Sequence, residues 1–595
     1  MILQTLVSHY RRMAEEGGAD VAQEGFEKKE IPFLIILDRQ GKFVSLQDTR
    51  VASGKKFIAR RFLVPKEHER SGKNAWQKAN LLWDHYGYVL AWPKAENDAN
   101  REMANKQHGV FVANVKKLLE KYPADEEIKA VYGFLTMGNY ETVFSHPSWQ
   151  DCIKLPGCNM SFCLEGQTRL VCENENVIAY AISENNSVSD DESDDSDLPN
   201  AEGICLITGE KAPIARLHPR TPIPGAKSNA KIVSFQKNMG FDSYGKQQSF
   251  NAPISQSAAF AYTTALNQML AKDSRQKMFV GDATTVFWAE KKNKLEDIFA
   301  DIFGEPAKGE SEQDYKSVIA MFRSPESGAR AELDPTTKFY ILGLAPNAAR
   351  IAVRFWYAGT VGSIADNIWQ HFEDLEMVKG PKDWRTITLR SLLRSTALLE
   401  KDENVPPNLA GDTMKAILTG TPYPRTLLAA VLRRSRAERE ITYSRAALIR
   451  AVLTREARYY KRTEKEVEMS LDTNYNNPGY LLGRLFAALE RAQEQASPGI
   501  NATIKDRFYG AASSTPVAVF AHLMKLKNHH LAKLTNKGAA VNLEKLFQEI
   551  VDKLDSKEAF PGHLALDDQG RFAVGYYHQR QSFFTKKIDD NSKEA

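Results

Sequence analysis

The sequence lacks any apolar run long enough to cross a membrane. Runs such as FLIIL at residues 33–37 fall far short of the ~18 apolar residues that a spanning helix needs. In the N-terminal segment MILQTLVSHYRRMAEEGG, charged and polar residues interrupt the apolar ones, which predicts an amphipathic helix and not a secretory signal. We therefore expect a soluble, cytoplasmic protein without a membrane partner.

Cysteine is also scarce, because the chain has five and none of them forms a CxxC pair. An odd number without a pairing pattern favours a reducing compartment over a disulfide framework. Cys158, Cys163, Cys172 and His218 can be drawn as a zinc site, but their spacings match no common zinc template. Free structural thiols are the favoured interpretation, and we expect no metal and no other cofactor.

The familiar catalytic signatures are missing. The chain contains no HExxH, no GxSxG, no GxxxxGK[ST] loop and no kinase motif set. The aspartates of the acidic run Asp190–Asp197 lie in a low-complexity segment, where metal ligands would not be preorganised. His529 and His530 lie in a basic helix and are typical of a surface position. The sequence thus predicts a protein that is not an enzyme and has no catalytic residues.

What the chain does have is the composition of an ordinary folded protein. Its 595 residues are 43% hydrophobic and 26% charged, and this length suits about three to five domains. The formal net charge of +4 is too small to indicate a polyanionic partner by itself. The distribution of the charge therefore matters more than its sum.

The clearest strand signal is the segment KFYILGLAPNAARIAVRFWY at residues 338–357. Two β-rich runs flank a predicted Pro-Asn-Ala-Ala turn, in which Asn347 after Pro346 suits tight-turn geometry. Apolar residues alternate with others in the second run. The segment is predicted to be a buried hairpin at the centre of the fold. Arg350 and Arg354 are candidate interface or RNA contacts.

The coarse pattern predicts an α+β fold, in which mixed α/β N-terminal and central regions precede an all-α C-terminal helical bundle. Near the N-terminus, two strands are predicted between residues 31 and 50, with Gly41 in their turn. The predicted parts are an N-terminal α+β domain at 1–184, an acidic linker or loop at 185–200, a central α+β domain at 201–382 and a helical bundle at 383–595.

Helical spacing is strongest in the last of these parts. Asn477-Pro478 and Thr515-Pro516 have the N-cap and first-turn proline that start a helix. Helices are predicted at residues 386–399, 424–439, 444–462, 478–495, 516–534, 542–554 and 568–586. A further helix is predicted at residues 100–122 of the N-terminal domain.

Positive charge is concentrated at two places, and the first is the N-terminal domain. Between residues 53 and 74, two acidic residues oppose these basic ones: Lys55, Lys56, Arg60, Arg61, Lys66, Arg70 and Lys73. The loop ERSGKNAWQKAN combines cationic, amide and aromatic side chains, which can hold phosphates, read base edges and stack on bases. An ordinary surface loop explains the same residues, and both interpretations stay open.

The second place is the helix predicted at residues 444–462. At about 100° per residue, the apolar arc contains Leu448, Ile449, Val452, Leu453 and Tyr459. The opposite arc contains Arg450, Arg455, Arg458, Lys461 and Arg462. Such a one-sided face predicts an exposed cationic surface and favours nucleic-acid binding over simple solvation.

Four long segments then point to a family. They lie in order between residues 204 and 584: CLITGEKAPIARLHP, SFNAPISQSAAFAYTTALNQML, ILGLAPNAARIAVRFW and FAVGYYHQRQSFF. Together they resemble the large subunit of the type I-C CRISPR surveillance complex, Cascade, also called the Dvulg subtype. The N-terminal segments ERSGKNAWQ and LLWDHYGYVL are similar to this family as well.

The resemblance implies a non-catalytic subunit of an RNA-guided DNA-binding machine. Its N-terminal domain would recognise the protospacer-adjacent motif (PAM) in duplex DNA, promote strand separation and recruit the helicase-nuclease. Its C-terminal bundle resembles the Cascade small subunit and would stabilise the R-loop. The implied partners are guide RNA, double-stranded target DNA, its displaced single strand, the Cascade backbone and guide-processing subunits, and a small subunit identical to the chain's own C-terminal bundle.

The resemblance also assigns roles to the two basic segments. Motif reading is assigned to Lys73, Asn74 and Gln77. Phosphate contacts are assigned to Lys55, Lys56, Arg60, Arg61 and Arg70. Binding of the displaced strand or its backbone is assigned to Arg450, Arg455, Arg458, Lys461 and Arg462.

Two other classes of function stay open. A nuclease or another enzyme of the same defence pathway would cleave DNA in the presence of magnesium. A purely structural assembly subunit would bind DNA alike whether or not the basic loop is changed.

Met469 is a candidate internal translation start. The preceding residues Lys465, Glu466 and Val467 can be encoded by a purine-rich sequence that would serve as a ribosome-binding site. Families of this kind often make their small subunit from such a start. A charged helix end followed by an ordinary methionine explains the same residues.

Overall fold

The computed structural model describes residues 1–17, 21–53, 56–68, 70, 73–187, 202–236, 240, 245–272, 274–303, 333–348, 350–380, 387–463, 466–555 and 559–584. The chain divides into two compact units. The first contains Leu3–Pro219 and Val233–Ala265, and the second contains Arg220–Ile232 and the chain from Leu266 onward. The predicted acidic linker lies outside the described residues from position 188, and the predicted domain limits stay predictions.

The first unit mixes helices with short strands. Along the chain these are α1 (Ile2–Gly17), β1 (Phe26–Glu30), β2 (Phe33–Leu37), β3 (Phe43–Asp48), β4 (Arg50–Ser53), β5 (Lys56–Ala59), β6 (Arg61–Pro65), β7 (Trp83–His85), α2 (Tyr86–Leu90), α3 (Asp98–Lys121), α4 (Glu126–Met137), α5 (Glu141–Phe144), α6 (Trp149–Ile153), β8 (Asn159–Leu164), α7 (Glu175–Ser187), β9 (Glu202–Ile204), β10 (Lys211–Pro213) and the start of α8 (Gln256–Met269).

A four-stranded sheet organises this unit, in the order β3-β2-β8-β7. The predicted hairpin of β2 and β3 is confirmed, since the two strands pair antiparallel. Its turn needs Gly41, which has a φ of +80° that other residues rarely adopt. The carboxylate of Asp38 accepts hydrogen bonds from the backbone N–H groups of Gln40 and Lys42 at 2.9 and 2.8 Å, as expected of an Asx turn.

The predicted helix at residues 100–122 is also confirmed, as α3. The side chain of Asn97 accepts a hydrogen bond from the N–H of Asn100 and caps its start. Phe111, Val115 and Leu118 of this helix are fully buried in the core that contains the sheet. The side chain of Asn114 in this helix also donates to the carbonyl oxygen of Ala79 at 3.2 Å, so the helix supports the end of the basic loop.

The second unit consists of one sheet and many helices. Its elements after α8 are β11 (Lys277–Val280), β12 (Ala283–Ala289), α9 (Leu295–Phe303), β13 (Lys338–Asn347), β14 (Arg350–Thr360), α10 (Val361–Leu375), α11 (Leu389–Ser395), α12 (Pro407–Thr419), α13 (Arg425–Glu438), α14 (Tyr443–Tyr459), α15 (Pro478–Ala496), α16 (Ile504–Ala512), α17 (Phe520–Lys533), α18 (Lys537–Val551) and α19 (Leu566–Ser582). This composition, with a helical C-terminal region, confirms the predicted α+β class.

The hairpin predicted at residues 338–357 is β13 and β14, which pair antiparallel in the sheet order β11-β12-β13-β14. The predicted Pro-Asn-Ala-Ala turn contains the observed one but begins two residues too early. Pro346 and Asn347 still pair with Ile351 and Arg350, and the chain turns at Ala348, which has a φ of +53°. Proline is tolerated there because β12 pairs with β13 only as far as Leu344, so no neighbouring strand on that side needs an N–H from residue 346.

Most of the predicted C-terminal helices are present, with shifted ends. The Asn477-Pro478 start is confirmed, since the Asn477 side chain accepts from the N–H of Tyr480. Thr515-Pro516 opens only a short 3-10 turn, and α17 begins later, at Phe520. The helices α12, with 13 residues, and α16, with nine, were not predicted.

Two cores hold the second unit together. The larger core contains strand residues such as Phe339 and Ile341 together with helix residues such as Ile364 and Leu448. The smaller core, between residues 481 and 576, is formed within the helices α15 to α19. The sheet and the helices on both sides of residue 383 thus share buried contacts.

Helices α15 and α19 approach each other closely enough to require glycine. A methyl group on Gly483 would overlap the carbonyl oxygen of Phe572, and one on Gly575 would overlap the carbonyl oxygen of Tyr480. Because the opposing atoms belong to the backbone, no side chain can move away to make room. The two helices can therefore cross this closely only because residues 483 and 575 are glycines.

We predict that Gly483→Ala lowers the stability of the second unit by about 1–3 kcal/mol, since the helices must separate to admit the methyl group. Gly510→Ala is the matched control in α16, where nothing lies within 4 Å of the added carbon, and it should be neutral or stabilising. Thermal and urea unfolding of the full chain measure both effects. Equal midpoints for the two variants would contradict the proposed close contact.

Candidate nucleic-acid interfaces

The basic loop of the first unit is anchored by a buried carboxylate. Asp84 is only 1% exposed, and it accepts hydrogen bonds from the backbone N–H groups of Asn80 and His85 at 3.0 and 2.8 Å. Its third partner is the guanidinium of Arg70, which binds both carboxylate oxygens. This bidentate pair closes the loop at its base.

Arg70 has further contacts on the same side of the loop. Its Nε donates to the carbonyl oxygen of Lys78 at 2.6 Å, and its guanidinium lies 4.2 Å from the centre of the Tyr88 ring. Three of the five guanidinium N–H groups of Arg70 are thus used within the protein. Arg70 therefore has an anchoring role that was not predicted, and its contact with phosphate stays a prediction. The sequence could not distinguish a basic residue that binds a ligand from one that holds the loop.

The tip of the loop is a short 3-10 turn, Ala75–Gln77. The hydroxyl of Tyr88 lies within hydrogen-bond distance of the carbonyl oxygens of Ala75 and Trp76, at 3.3 and 3.1 Å. Burial raises the pKa of the Tyr88 phenol above its usual value, so this hydroxyl stays protonated as a donor. Tyr88 of α2 therefore holds this turn in place.

The three residues predicted to read the motif lie at this turn or directly before it. Lys73, Asn74 and Gln77 are all exposed, while the neighbouring Asn80 is 2% exposed and accepts from the N–H of His68 at 3.0 Å. The structure therefore presents one cation and two amides on a short, anchored turn. This is the donor and acceptor set that reads base edges in a groove.

The predicted phosphate-binding residues lie on the strands before the loop. Arg60 and Arg61 are exposed at the junction of β5 and β6, and the guanidinium of Arg60 lies 5.0 Å from the centre of the Phe62 ring. Lys56 begins β5, and Lys55 lies outside the described residues. Their assignment to phosphates stays a prediction.

The second basic segment, α14, agrees less well with its prediction than the basic loop does. Arg450 and Arg455 of α14 are only 7% and 1% exposed, so the exposed cationic face expected there is wrong for these two residues. The physical reason is that α14 packs against α10, α11, α13 and α19. A helical wheel assumes that only one side of a helix is buried, whereas these four helices bury more than one side of α14.

Both buried arginines bind the C-terminal ends of other helices. Arg450 donates to the carbonyl oxygens of Glu373 and Asp374 in α10, at 3.2 and 2.9 Å, and burial lowers its pKa. Arg455 donates to the carbonyl oxygen of Ala416 in α12 at 3.2 Å and to the carboxylate of Asp374 at 2.7 Å. Cations at helix C-termini satisfy unpaired carbonyls and the helix dipole.

The other three predicted residues lie at the exposed end of α14. Arg458, Lys461 and Arg462 are exposed. Arg458 also pairs with Asp374 at 2.7 Å, and Arg462 pairs with Glu456 at 2.9 Å. The predicted cationic surface is therefore limited to the end of the helix.

Sequence reasoning placed Tyr459 on the buried arc, and this is wrong because Tyr459 is 51% exposed. Its neighbour Tyr460 is 62% exposed, and neither residue was singled out as a binding residue. The helix ends at Tyr459, so the wheel no longer applies to the residues after it.

The remaining candidates have simple structural surroundings. Met469 is 50% exposed, and its carbonyl oxygen accepts from the N–H of Val378 at 2.8 Å. Arg354 pairs with Asp282 at 2.6 Å on the sheet, and Arg350 pairs with Asn347 as the first residue of β14. The roles proposed for these residues stay predictions.

The five cysteines are buried and none forms a disulfide, as predicted from their spacing. His218, the fourth member of the hypothetical zinc site, has its Nδ1 2.6 Å from the hydroxyl of Tyr262. Within the described part of the chain, no three His, Cys, Asp or Glu side chains are grouped so that they could share a metal ion. No helix in that part is both long enough and apolar enough to span a bilayer.

The model of a protein family described as CRISPR-associated protein (Cas_Csd1) matches residues 6–584, which is nearly the whole chain. No curated protein matches the sequence.

We predict that Arg70→Lys destabilises the first unit by about 2 kcal/mol, since lysine cannot bind both oxygens of the buried Asp84 carboxylate. Lys73→Ala is the control, because that side chain is exposed and its loss should change stability by less than ~0.5 kcal/mol. Thermal unfolding gives the stability, and limited proteolysis within residues 73–80 reports the order of this part of the loop. If Arg70→Lys unfolds and is cleaved like the unchanged chain, Arg70 does not anchor the loop.

Proposed function

The chain belongs to the Cas_Csd1 family of CRISPR-associated proteins, and from this we propose that it is the large subunit of a type I-C Cascade complex. In this proposal it recognises the protospacer-adjacent motif in duplex DNA beside the sequence that the guide RNA pairs with. It then promotes strand separation, stabilises the R-loop and recruits the helicase-nuclease that cuts the DNA. The guide supplies most of the sequence specificity, and the protein reads the short motif.

The observation that carries the proposal is the anchored turn at Lys73–Gln77. A protein segment that recognises base edges needs a few polar side chains on a rigid support, so that the segment keeps its conformation when it enters a DNA groove. The pair of Arg70 and Asp84, together with the hydroxyl of Tyr88, supplies that support. Lysine can bind guanine and the amides can bind adenine, so the turn has the chemistry to distinguish short motifs.

Phosphate contacts would orient the duplex on this turn. Arg60 and Arg61 are exposed on the neighbouring strands, and such contacts set register and affinity without reading sequence. At the other basic segment, Arg458, Lys461 and Arg462 would hold the displaced strand. Arg450 and Arg455 are left out of this role, because their guanidinium groups are buried.

We also propose that the chain itself is not an enzyme. In this family the cutting activity belongs to a recruited partner, and the features described above suit binding and positioning. A nuclease of the same pathway and a purely structural subunit are the alternatives. The experiment below separates all three.

We predict that Lys73→Ala, Asn74→Ala and Gln77→Ala abolish discrimination between targets that differ only in the adjacent motif. Each lost base contact should cost about 1–3 kcal/mol on the preferred motif and little on the others. The measurement is DNA-binding affinity of the guide-loaded complex on a panel of duplexes with a common target sequence.

Two sets of controls accompany this panel. Arg60→Ala and Arg61→Ala should weaken binding of all targets alike and reduce the salt slope by about 1 each, whereas the exposed Lys116→Ala on α3 should change nothing. Unchanged discrimination in the loop variants would favour the structural subunit. Magnesium-dependent DNA cleavage by the full chain would favour the nuclease.

We further propose that translation from Met469 supplies the small subunit. The buried residues of the smaller core all lie between Leu481 and Tyr576, so the shorter product would contain that core completely. In the full chain, Ala573, Val574 and Tyr577 of α19 belong to the larger core. The shorter product would expose them, and we expect neighbouring subunits to cover them in the complex.

We predict that Met469→Leu removes a short product that otherwise co-purifies with the complex and begins at Met469. Met137→Leu is the matched control, because Met137 is similarly exposed, at 61% against 50% for Met469. Mass spectrometry of the purified complex identifies the N-terminus of the product. A short product of unchanged size in Met469→Leu would rule out the internal start.

A further inference from the structure

The end of α14 presents two neighbouring aromatic rings to solvent. Tyr459 and Tyr460 are 51% and 62% exposed, and among the described residues no other tyrosine is classed as exposed. Their ring centres lie 5.2 Å apart and the ring planes are at 85° to each other. The accessible faces of the two rings therefore point in different directions.

The residues around this pair are also exposed and mostly cationic. The run Arg458–Thr463 is exposed at every position. The surrounding ion pairs use three carboxylates, Asp374, Glu456 and Asp567. The cations in and beside these pairs are Arg425, Arg455, Arg458, Lys461 and Arg462. Positive charge is thus left over next to the two rings.

Lys461 holds a backbone conformation that favours glycine. Its φ is +51°, and the N–H of Arg462 donates to the carbonyl oxygen of Ala457 at 2.9 Å. This is the hydrogen bond of a Schellman helix end, where the residue in the position of Lys461 is usually glycine. Lys461 forms no ion pair with the residues that the structure describes. A lysine here keeps a cation beside the rings at the expense of backbone strain.

We propose that Tyr459 and Tyr460 form a stacking platform for the bases of single-stranded nucleic acid, with Lys461 and Arg462 on its phosphates. Every base has a π-face that stacks on an aromatic ring, so such a site tolerates any sequence. In a duplex these faces are covered by neighbouring bases, and the platform therefore prefers a single strand. The proposal rests on the proposed function, in which the single strand is the one displaced from the target.

The geometry also predicts how the strand would lie. Because the ring planes are nearly perpendicular, the two tyrosines cannot continue one stack of parallel bases. Each ring would instead take a base of a strand that bends around the end of α14. The hydroxyl groups are not needed for this, since stacking uses only the rings.

The test compares binding of the full chain to three labelled probes of equal length: oligothymidylate, an abasic oligonucleotide and a duplex. Tyr459→Ala and Tyr460→Ala should each weaken oligothymidylate binding by roughly fivefold or more, with no effect on the abasic probe. Tyr459→Phe and Tyr460→Phe should bind within about twofold of the unchanged chain, because phenylalanine keeps the ring. Fluorescence anisotropy at fixed salt measures all of these affinities.

Two further variants check folding and location. Phe279→Ala removes a ring that is also 62% exposed, in β11, and it should leave binding of the oligothymidylate unchanged. Lys461→Gly should weaken binding of both the oligothymidylate and the abasic probe while keeping an equal or higher unfolding temperature, since glycine relieves the backbone strain.

Several results would overturn the platform. These are equal oligothymidylate binding by the alanine variants, an equal loss on the abasic probe, or a loss in the phenylalanine variants as large as in the alanine variants. The motif discrimination of the guide-loaded complex is measured in parallel. If the loop variants lose discrimination while the tyrosine variants bind normally, only the platform fails. If the unchanged complex does not discriminate motifs at all, the proposed function fails.

Discussion

The carboxylate of Asp374 is the interaction on which the helical part of the second unit depends. It is 1% exposed and accepts from Arg455 at 2.7 Å and from Arg458 at 2.7 and 2.9 Å. Burying a charge without partners is far more costly than leaving it in water, so these arginines must stay where they are. Through them, α14 is joined to the ends of α10 and α12.

A buried carboxylate bound by an arginine also stabilises part of the first unit. Asp84 is equally buried and is satisfied by Arg70 and by backbone N–H groups of the loop. In both units an arginine that looks available in the sequence is used to hold structure. The cations left for a ligand are those at the edges of these networks, where the turn at Lys73–Gln77 and the end of α14 meet solvent.

This distinction explains how a rigid support can present polar side chains to solvent. Interior arginines cap helix ends and bind carboxylates, which fixes the elements that carry the exposed residues. Counting basic residues along the chain therefore overstates the area that can bind phosphates. Counting only exposed residues limits the candidates to the edges of these networks and adds the two tyrosines at the end of α14.

Local order was predictable wherever a short segment determines its own conformation. Period and turn chemistry were enough to predict the hairpin of β2 and β3, the strands β13 and β14, the helix α3 and the Asn477-Pro478 helix start, and four motifs in order were enough to identify the family. Tertiary packing alone decided that α14 is surrounded, that Arg450 and Arg455 are interior, that Arg70 is an anchor and that Tyr459 is exposed. The physical reason is that hydrophobic periodicity reports only whether one side of an element is buried, whereas the number of neighbours around it depends on residues far away in the chain.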